Sequence, residues 1–125
     1  YGAENVRVLP NAPLDLVLDI YGRAMVYLHT MAGEHFGIAV VEAMAAGLAP
    51  VVHRSGGPWL DILAEGRYGL GFSTCAEAAE LIRRLLEDRE LFLRFASLAQ
   101  ERARDFSEER FKEEFIRALR PYFGL

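Results

Sequence analysis

Two short apolar runs, Met25–His29 and Pro50–His53, bracket an acidic loop and an apolar helical pattern that starts at Gly37 and stops at Gly47. Glycine is a common terminator of helices, so this stretch reads as strand, loop, helix, strand. The alternation continues on both sides. Val6–Leu9 reads as a strand stopped by Pro10. Pro13 opens a helix from Leu14 to about Ala24, with Leu14, Val17, Leu18 and Tyr21 on one face. Gly57-Pro58 opens a short helix through Leu63, Gly66 and Gly69 frame a turn, and Leu70–Phe72 is a last short strand. Thr74 with Glu77 makes a capping box for a helix to about Glu87. A second helix runs from about Arg89 to Arg104, and Ser107 followed by two acids starts a third that reaches Tyr122. Strands alternating with helices imply an α/β fold with a parallel, doubly wound sheet and here a helical C-terminus. In such sheets ligands bind outside the carboxyl ends of the strands.

That rule directs attention to the loops after the two central strands. The first carries Glu34, then Phe36-Gly37-Ile38, with Glu42 on the second turn of the helix behind it. A helix N-terminus offers unpaired N–H groups and the positive end of a dipole, which suits phosphate. Gly37 allows close approach to the backbone. Helical side chains lean toward the N-terminus, so Glu42 leans back toward the mouth that Glu34 occupies. Ionised carboxylates only accept hydrogen bonds and suit vicinal diols. The arrangement fits a nucleotide-sugar, its diphosphate on the N–H groups near Gly37 and Ile38 and a hydroxyl-rich ring at each acid. A glycosidase pair competes, but it needs carboxyls roughly 5–9.5 Å apart, and eight helical residues rise about 12 Å. The plain alternative is that both acids are solvated surface groups. The second loop, Ser55-Gly56-Gly57, follows the next strand and opens onto the same crevice.

The run Leu28-His29-Thr30-Met31-Ala32-Gly33-Glu34-His35-Phe36-Gly37-Ile38, continuing through Glu42-Ala43-Met44-Ala45-Ala46-Gly47 to Ser55-Gly56-Gly57-Pro58, resembles the family-4 retaining glycosyltransferases of the GT-B fold. Their E-x7-E signature is met by Glu34 and Glu42, followed in order by E-A-M-A-x-G, a strand and a Gly-Gly loop. His29-Thr30-Met31, Glu34 to Ile38, Ser55 to Pro58 and Leu60-Asp61-Ile62 look closer still to one branch. Its members are α-1,2-mannosyltransferases that extend a dolichol-diphosphate-linked oligosaccharide from GDP-mannose. The resemblance implies a Rossmann-like donor domain and roles by position. Glu34 is the catalytic-site acid that orients the donor sugar. Phe36, Gly37 and Ile38 present N–H groups to sugar and diphosphate, Glu42 holds the ribose, and Ser55, Gly56 and Gly57 wall the cleft. His29 ends a strand beside the cleft, where a histidine on its own reads as structural; the branch resemblance implies instead a contact with the sugar donor, or with the acceptor. Fixed N–H groups would stabilise the departing diphosphate, and neither a metal nor a cofactor beyond the sugar donor is implied.

The resemblance also implies parts outside these residues: an acceptor-binding N-terminal domain of comparable size, and an Arg and a Lys early in the donor domain. Residues 1–125 are therefore expected to be a partial donor domain, inactive alone. Arg54 could partly replace the missing cations, although a charge after a strand is more often solvated. In the strand order 3-2-1-4-5-6, Val6–Leu9 would be the third strand and Met25–His29 the fourth, with two absent strands between them. Either the Val6 strand crosses over to pair or a bare edge remains, and a bare edge invites homo-oligomerisation.

Composition narrows the remaining classes. At 52% hydrophobic and 26% charged, the chain can bury a core, and disorder is excluded. A net charge of −4 with scattered bases argues against nucleic acid as a partner. The single Cys75 excludes an internal disulfide and fits a reducing compartment. The longest apolar stretch, Phe36 to Val52, is interrupted by Glu42, Gly47 and Pro50 and is too short to span a bilayer. No signal peptide is visible at Tyr1. A cytoplasmic protein is expected, with the longer enzyme at the cytoplasmic face of a membrane. His35 is expected to shape the loop and His53 to pack or hydrogen-bond. Phe106, Phe111, Phe115, Leu119 and Phe123 recur at helical spacing and are expected to face the core. Two other functions stay open: a non-catalytic nucleotide-sugar-binding or self-association module, and a sugar-nucleotide epimerase of the same fold.

Overall fold

The structure, a computed structural model, describes residues 4–123, with side chains over 4–122. Three parallel strands, β1 (Val26–His29), β2 (Ala49–His53) and β3 (Leu70–Phe72), lie in the order β1-β2-β3. Val26 pairs with Ala49 and Leu28 with Val51, while Val51 pairs with Leu70 and His53 with Phe72. The helices are α1 (Leu14–Arg23), α2 (Ile38–Ala45), α3 (Cys75–Glu87), α4 (Arg89–Ala103) and α5 (Glu108–Phe123). A wide helical turn covers Pro58–Ile62, and a tight one, Arg104–Phe106, joins α4 to α5.

β2 is the centre of the molecule, and Ala49 to Val52 are all buried. A strand covered on both faces reads as an unbroken apolar run, which is why Ala49-Pro50-Val51-Val52 shows no alternation. Its side chains still point alternately to opposite faces. Val52 joins Val40, Val41 and Met44 of α2, Ile62 and Leu63, and Ala99 and Ala103 of α4. Ala49 and Val51 join Phe72, Ala78 and Leu85 of α3, and Phe95 of α4. α4 thus contributes to both cores.

The helix ends follow their local chemistry. α2 closes in a full Schellman motif: Gly47 N–H donates to Met44 O at 3.0 Å and Leu48 N–H to Ala43 O at 3.2 Å, with Gly47 at φ 88°. Thr74 Oγ1 accepts from Glu77 N–H at 3.2 Å, while the Glu77 carboxylate accepts from the Ser73 N–H at 3.4 Å, one residue short of the reciprocal bond of a capping box. Asp88 caps α4 by accepting from Leu91 N–H at 3.1 Å, and Ser107 caps α5 through Arg110 N–H at 3.1 Å. In the turn after β2, Leu63 N–H donates to Pro58 O at 3.0 Å, an i→i+5 bond that makes this helix wider than the α-helix its Gly-Pro start suggests.

Three expectations are corrected. Val6–Leu9 is not a strand: its residues are irregular, and Val6 and Val8 are 56% and 68% exposed. A strand needs a neighbour to bond, and β1, the strand it would have met, is an edge among the described residues. The inward face of α1 is the expected one only in part, and none of its residues is fully buried. Leu14 and Leu18 are exposed, while Leu16, Val17, Ile20 and Tyr21 are half-buried, and Tyr21 meets Tyr27 edge-on with ring centroids 6.2 Å apart. The aromatic stripe of α5 does not enter the core. Phe111 and Phe115 stack on each other at 5.9 Å in solvent. Phe106, in the tight turn, packs inward, against Phe36 at 5.5 Å, and Leu119 is half-buried. Helical spacing of aromatics shows that a face is apolar but not what covers it, and no described element of this chain does. The side chain of Phe123 lies outside the described residues.

Arg102 was not foreseen. Its Nε donates to Ile62 O at 2.9 Å and an Nη to Asp61 O at 2.7 Å, and its guanidinium stands over the rings of Tyr68 and Phe106 at 4.7 and 4.8 Å. It ties α4 to the carbonyls that the wide turn leaves open. Arg102→Ala is expected to cost about 2–4 kcal/mol, because it removes the charge-assisted hydrogen bonds and the cation–ring attraction together. Urea unfolding checks this: the midpoint should fall at unchanged slope. Lysine should not restore it, because it lacks the planar fork.

Candidate functional site

The loops that leave β1 and β2 are joined to each other. Gly33 N–H donates to Ser55 Oγ at 2.8 Å, and Gly57 N–H donates to Glu34 O at 2.8 Å. Ser55 Oγ also lies 2.7 Å from His53 Nδ1, and the His53 ring meets Phe72 edge-on. His53 is therefore a packing and hydrogen-bonding residue, as its position suggested. The two glycines permit the join. A Cβ at Gly56 would stand 2.2 Å from Glu34 O, and one at Gly57 would stand 1.9 Å from His35 O. Gly56 also sits at φ 62°, where a side chain is disfavoured. The glycines thus turn their open sides to the backbone of the Glu34 loop.

Glu34 is fixed at both ends. Its carbonyl is taken by Gly57, and its Oε2 is hydrogen-bonded to His29 Nε2. The side chains of His29 and Glu34 are 12% and 26% exposed, so the pair is largely shielded. On the other side of the ring, His29 Nδ1 lies 3.3 Å from the Tyr27 hydroxyl, and the two rings stack. Gly37, at φ 92°, precedes α2 with no side-chain cap; it is buried, and its carbonyl accepts from Val40 N–H at 3.0 Å. A Cβ on Gly37 would come within 2.9 Å of Pro58 and 3.4 Å of Glu34 Oε2. Phe36 packs its ring on Phe106, while the side chain of Ile38, first residue of α2, is 60% exposed.

Glu42 is exposed, and its charge reaches the same region. Burial first, then the neighbouring Tyr21 and the charges of Glu34 and Glu42, raise the Tyr27 phenol above its usual value. Tyr21 is raised by burial and then by Glu42. Both phenols keep their protons through neutral pH. Both carboxylates thus act on the Tyr27 phenol in the same direction, against its ionisation. The structure thus brings His29, Glu34, Gly37, Gly56 and Gly57 together, with Glu42 within electrostatic reach. It adds Tyr21 and Tyr27, which the sequence hid as a helix residue and a strand residue. Arg54 points elsewhere: its guanidinium donates to Ser73 Oγ at 3.0 Å and Glu77 Oε2 at 2.9 Å. It is occupied at the start of α3 and is not a stand-in for a diphosphate cation. His35 is exposed beside the mouth. Among the described residues no three His, Cys, Asp or Glu side chains gather where a metal ion could sit, and no helix is long and apolar enough to cross a membrane.

Chemically, the mouth offers an uncapped helix N-terminus for an anion, an immobilised carboxylate beside it and a second carboxylate one to two turns into the helix. Known proteins with similar sequences share this stretch. The family described as "Glycosyl transferases group 1" matches residues 1–102. A GDP-Man:Man(3)GlcNAc(2)-PP-Dol alpha-1,2-mannosyltransferase of Dictyostelium discoideum is 39% identical over 107 residues, covering 86% of this chain and 21% of that protein. Proteins of the same name are 36% identical over 124 residues in Homo sapiens, covering 96% of this chain and 25% of theirs, and 36% identical over 120 residues in Xenopus laevis, covering 90% and 24%. The chain therefore spans about a fifth to a quarter of the length of these curated relatives.

Proposed function

The chain belongs to the group 1 glycosyl transferases, and we propose that it forms part of the sugar-donor site of a mannosyltransferase that takes GDP-mannose. The proposed reaction moves the mannosyl group to a dolichol-diphosphate-linked glycan with retention at the anomeric carbon, as in the family-4 transferases, and without a metal. The names of the relatives support the sugar, the base and the lipid-linked acceptor. That acceptor supports work at the cytoplasmic face of a membrane.

The observation that carries the reading is the join between the loops after β1 and β2, which sets the Glu34 carboxylate beside the uncapped start of α2. In this reading the N–H groups of Gly37 and Ile38 receive the diphosphate. Glu34 orients the mannose hydroxyls and Glu42 takes the ribose diol. As the sugar–phosphate bond breaks, negative charge grows on the leaving diphosphate, where fixed N–H groups stabilise it without rearranging. Phosphorus NMR of GDP-mannose with this chain tests the proposal. Both phosphorus resonances should shift on adding protein, and EDTA should leave the shifts unchanged. Unmoved resonances, or shifts that need an added divalent ion, would contradict it.

The open edge of β1 supports a second proposal, self-association through that edge, and Leu28 on β1 is 41% exposed. Sedimentation equilibrium should show a concentration-dependent dimer, weakened by Leu28→Lys, since charge blunts an edge. A monomer at every concentration would refute it.

A further inference from the structure

We propose that His29 is a positioning residue for Glu34, holding its carboxylate in one orientation through Nε2 while the Tyr27 hydroxyl holds the ring through Nδ1. The inference rests on the reading of Glu34 as the group that orients the sugar, and it replaces direct contact between His29 and the sugar donor as the role of this histidine.

The geometry follows from the strand. Tyr27 and His29 are two apart on β1, so their side chains leave the same face, and their rings stack with centroids 5.9 Å apart and planes 26° from parallel. That stacking presents Nδ1 to the phenol and turns Nε2 outward to the loop, where Glu34 Oε2 meets it. The phenol keeps its proton, since burial and the neighbouring Tyr21, Glu34 and Glu42 all oppose its ionisation. A carboxylate only accepts, so Nε2 carries the ring proton toward Glu34, and in the neutral ring Nδ1 is then bare and accepts from the Tyr27 hydroxyl. Both ring nitrogens are spoken for, and the side chain is 12% exposed, so little of it is left to touch a ligand. Glu34, by contrast, keeps its second oxygen and remaining lone pairs for sugar hydroxyls. A loop carboxylate with a free side chain would sample several rotamers. Here the backbone is pinned by Gly57 and the side chain by His29, and a reactive group gains most from such support.

Two measurements on this chain test the inference. In nitrogen-15 NMR of the imidazole rings, His29 should show a protonated Nε2, a bare Nδ1 and a ring N–H proton slow enough to observe. Glu34→Ala should abolish that proton signal, while Tyr27→Phe should leave the proton on Nε2, held by the carboxylate, and move the Nδ1 resonance. Ring signals unchanged by Glu34→Ala would overturn the link. The second measurement is a cycle of GDP-mannose affinities. His29→Ala should weaken binding about 10-fold, the lower range for loss of an outer supporting group, and should leave GDP, which lacks the sugar, unaffected. His29→Gln, whose amide can still donate to Glu34, should recover part of the loss. In the Glu34→Ala background, His29→Ala should have no further effect. Additive losses, or a loss shared by GDP, would put His29 on the sugar donor itself and refute the positioning role. If the unaltered chain bound neither ligand, the donor-site reading would fail, while the ring spectra would still decide the link between the two side chains.

Discussion

Gly57→Ala should destabilise the chain by about 3 kcal/mol, in the upper range for forcing atoms into a filled space. The backbone at Gly57 has φ −58°, so the glycine is not there for its conformational freedom. It is there because a Cβ would stand 1.9 Å from His35 O, 2.7 Å from His35 C and 2.8 Å from Phe36 Cα. These are backbone atoms and cannot swing aside as a side chain would. Relief requires the two loops to part, which breaks the Gly57 N–H bond to Glu34 O and the Gly33 N–H bond to Ser55. For a domain of this size the melting temperature should fall by about 10 °C, and calorimetry on the purified variant reads it directly. Gly22→Ala is the matched control. No atom lies within 4 Å of a Cβ there, and the residue is in α1, so alanine should be neutral or slightly stabilising. Equal stability of Gly57→Ala and the parent would mean that the loops are not joined as described.

Glu34→Ala should act on chemistry rather than on folding. In a complete transferase carrying this sequence, kcat should fall by about 100-fold or more, because an unoriented sugar leaves the geometry from which it reacts. The carboxylate is 26% exposed and hydrogen-bonded to His29, so its removal should cost about one charged hydrogen bond, roughly 1.5–3 kcal/mol, and leave the chain folded. Glu42→Ala should instead raise the KM for the sugar donor with a smaller change in kcat, as expected for a group that binds ground state and transition state alike. A steady-state comparison of the two variants separates the roles. Full turnover by Glu34→Ala would refute its assignment, and identical profiles for the two variants would refute the division of labour.

What the sequence disclosed and what it hid divide along physical lines. The strand–loop–helix–strand unit from Met25 to His53 was legible because each boundary carries its own local signal: Gly37 and Gly47 at the ends of α2, and an apolar run on either side. The N-caps at Thr74 and Ser107 were legible for the same reason. Val6–Leu9 was misread because apolar composition favours a strand only where a neighbour supplies hydrogen bonds, and the neighbour is not a local property. The α5 aromatics were misread because periodicity defines a face without defining its cover. Ser55-Gly56-Gly57 was placed correctly against the Glu34 loop, but the Gly-Gly pair was read as a wall facing ligand. Its open sides face backbone instead. Arg102 gave no signal, since its partners Asp61 and Ile62 are some 40 residues away and bond through carbonyls that every residue has. Tyr27 was hidden inside a strand. Its importance lies in its hydroxyl, which only the fold brings to His29.

The most direct test of the nucleotide-sugar site is calorimetric titration of this chain with GDP-mannose, GDP, UDP-glucose and UDP, alongside the Glu42→Ala form. GDP-mannose should bind saturably, and the uridine ligands should bind more weakly or not at all. In Glu42→Ala the GDP-mannose affinity should be about 10-fold lower, the loss of roughly one charged hydrogen-bonding contact to the ribose. Absence of binding by every nucleotide, or GDP-mannose affinity unchanged by Glu42→Ala, would contradict a donor site at this mouth.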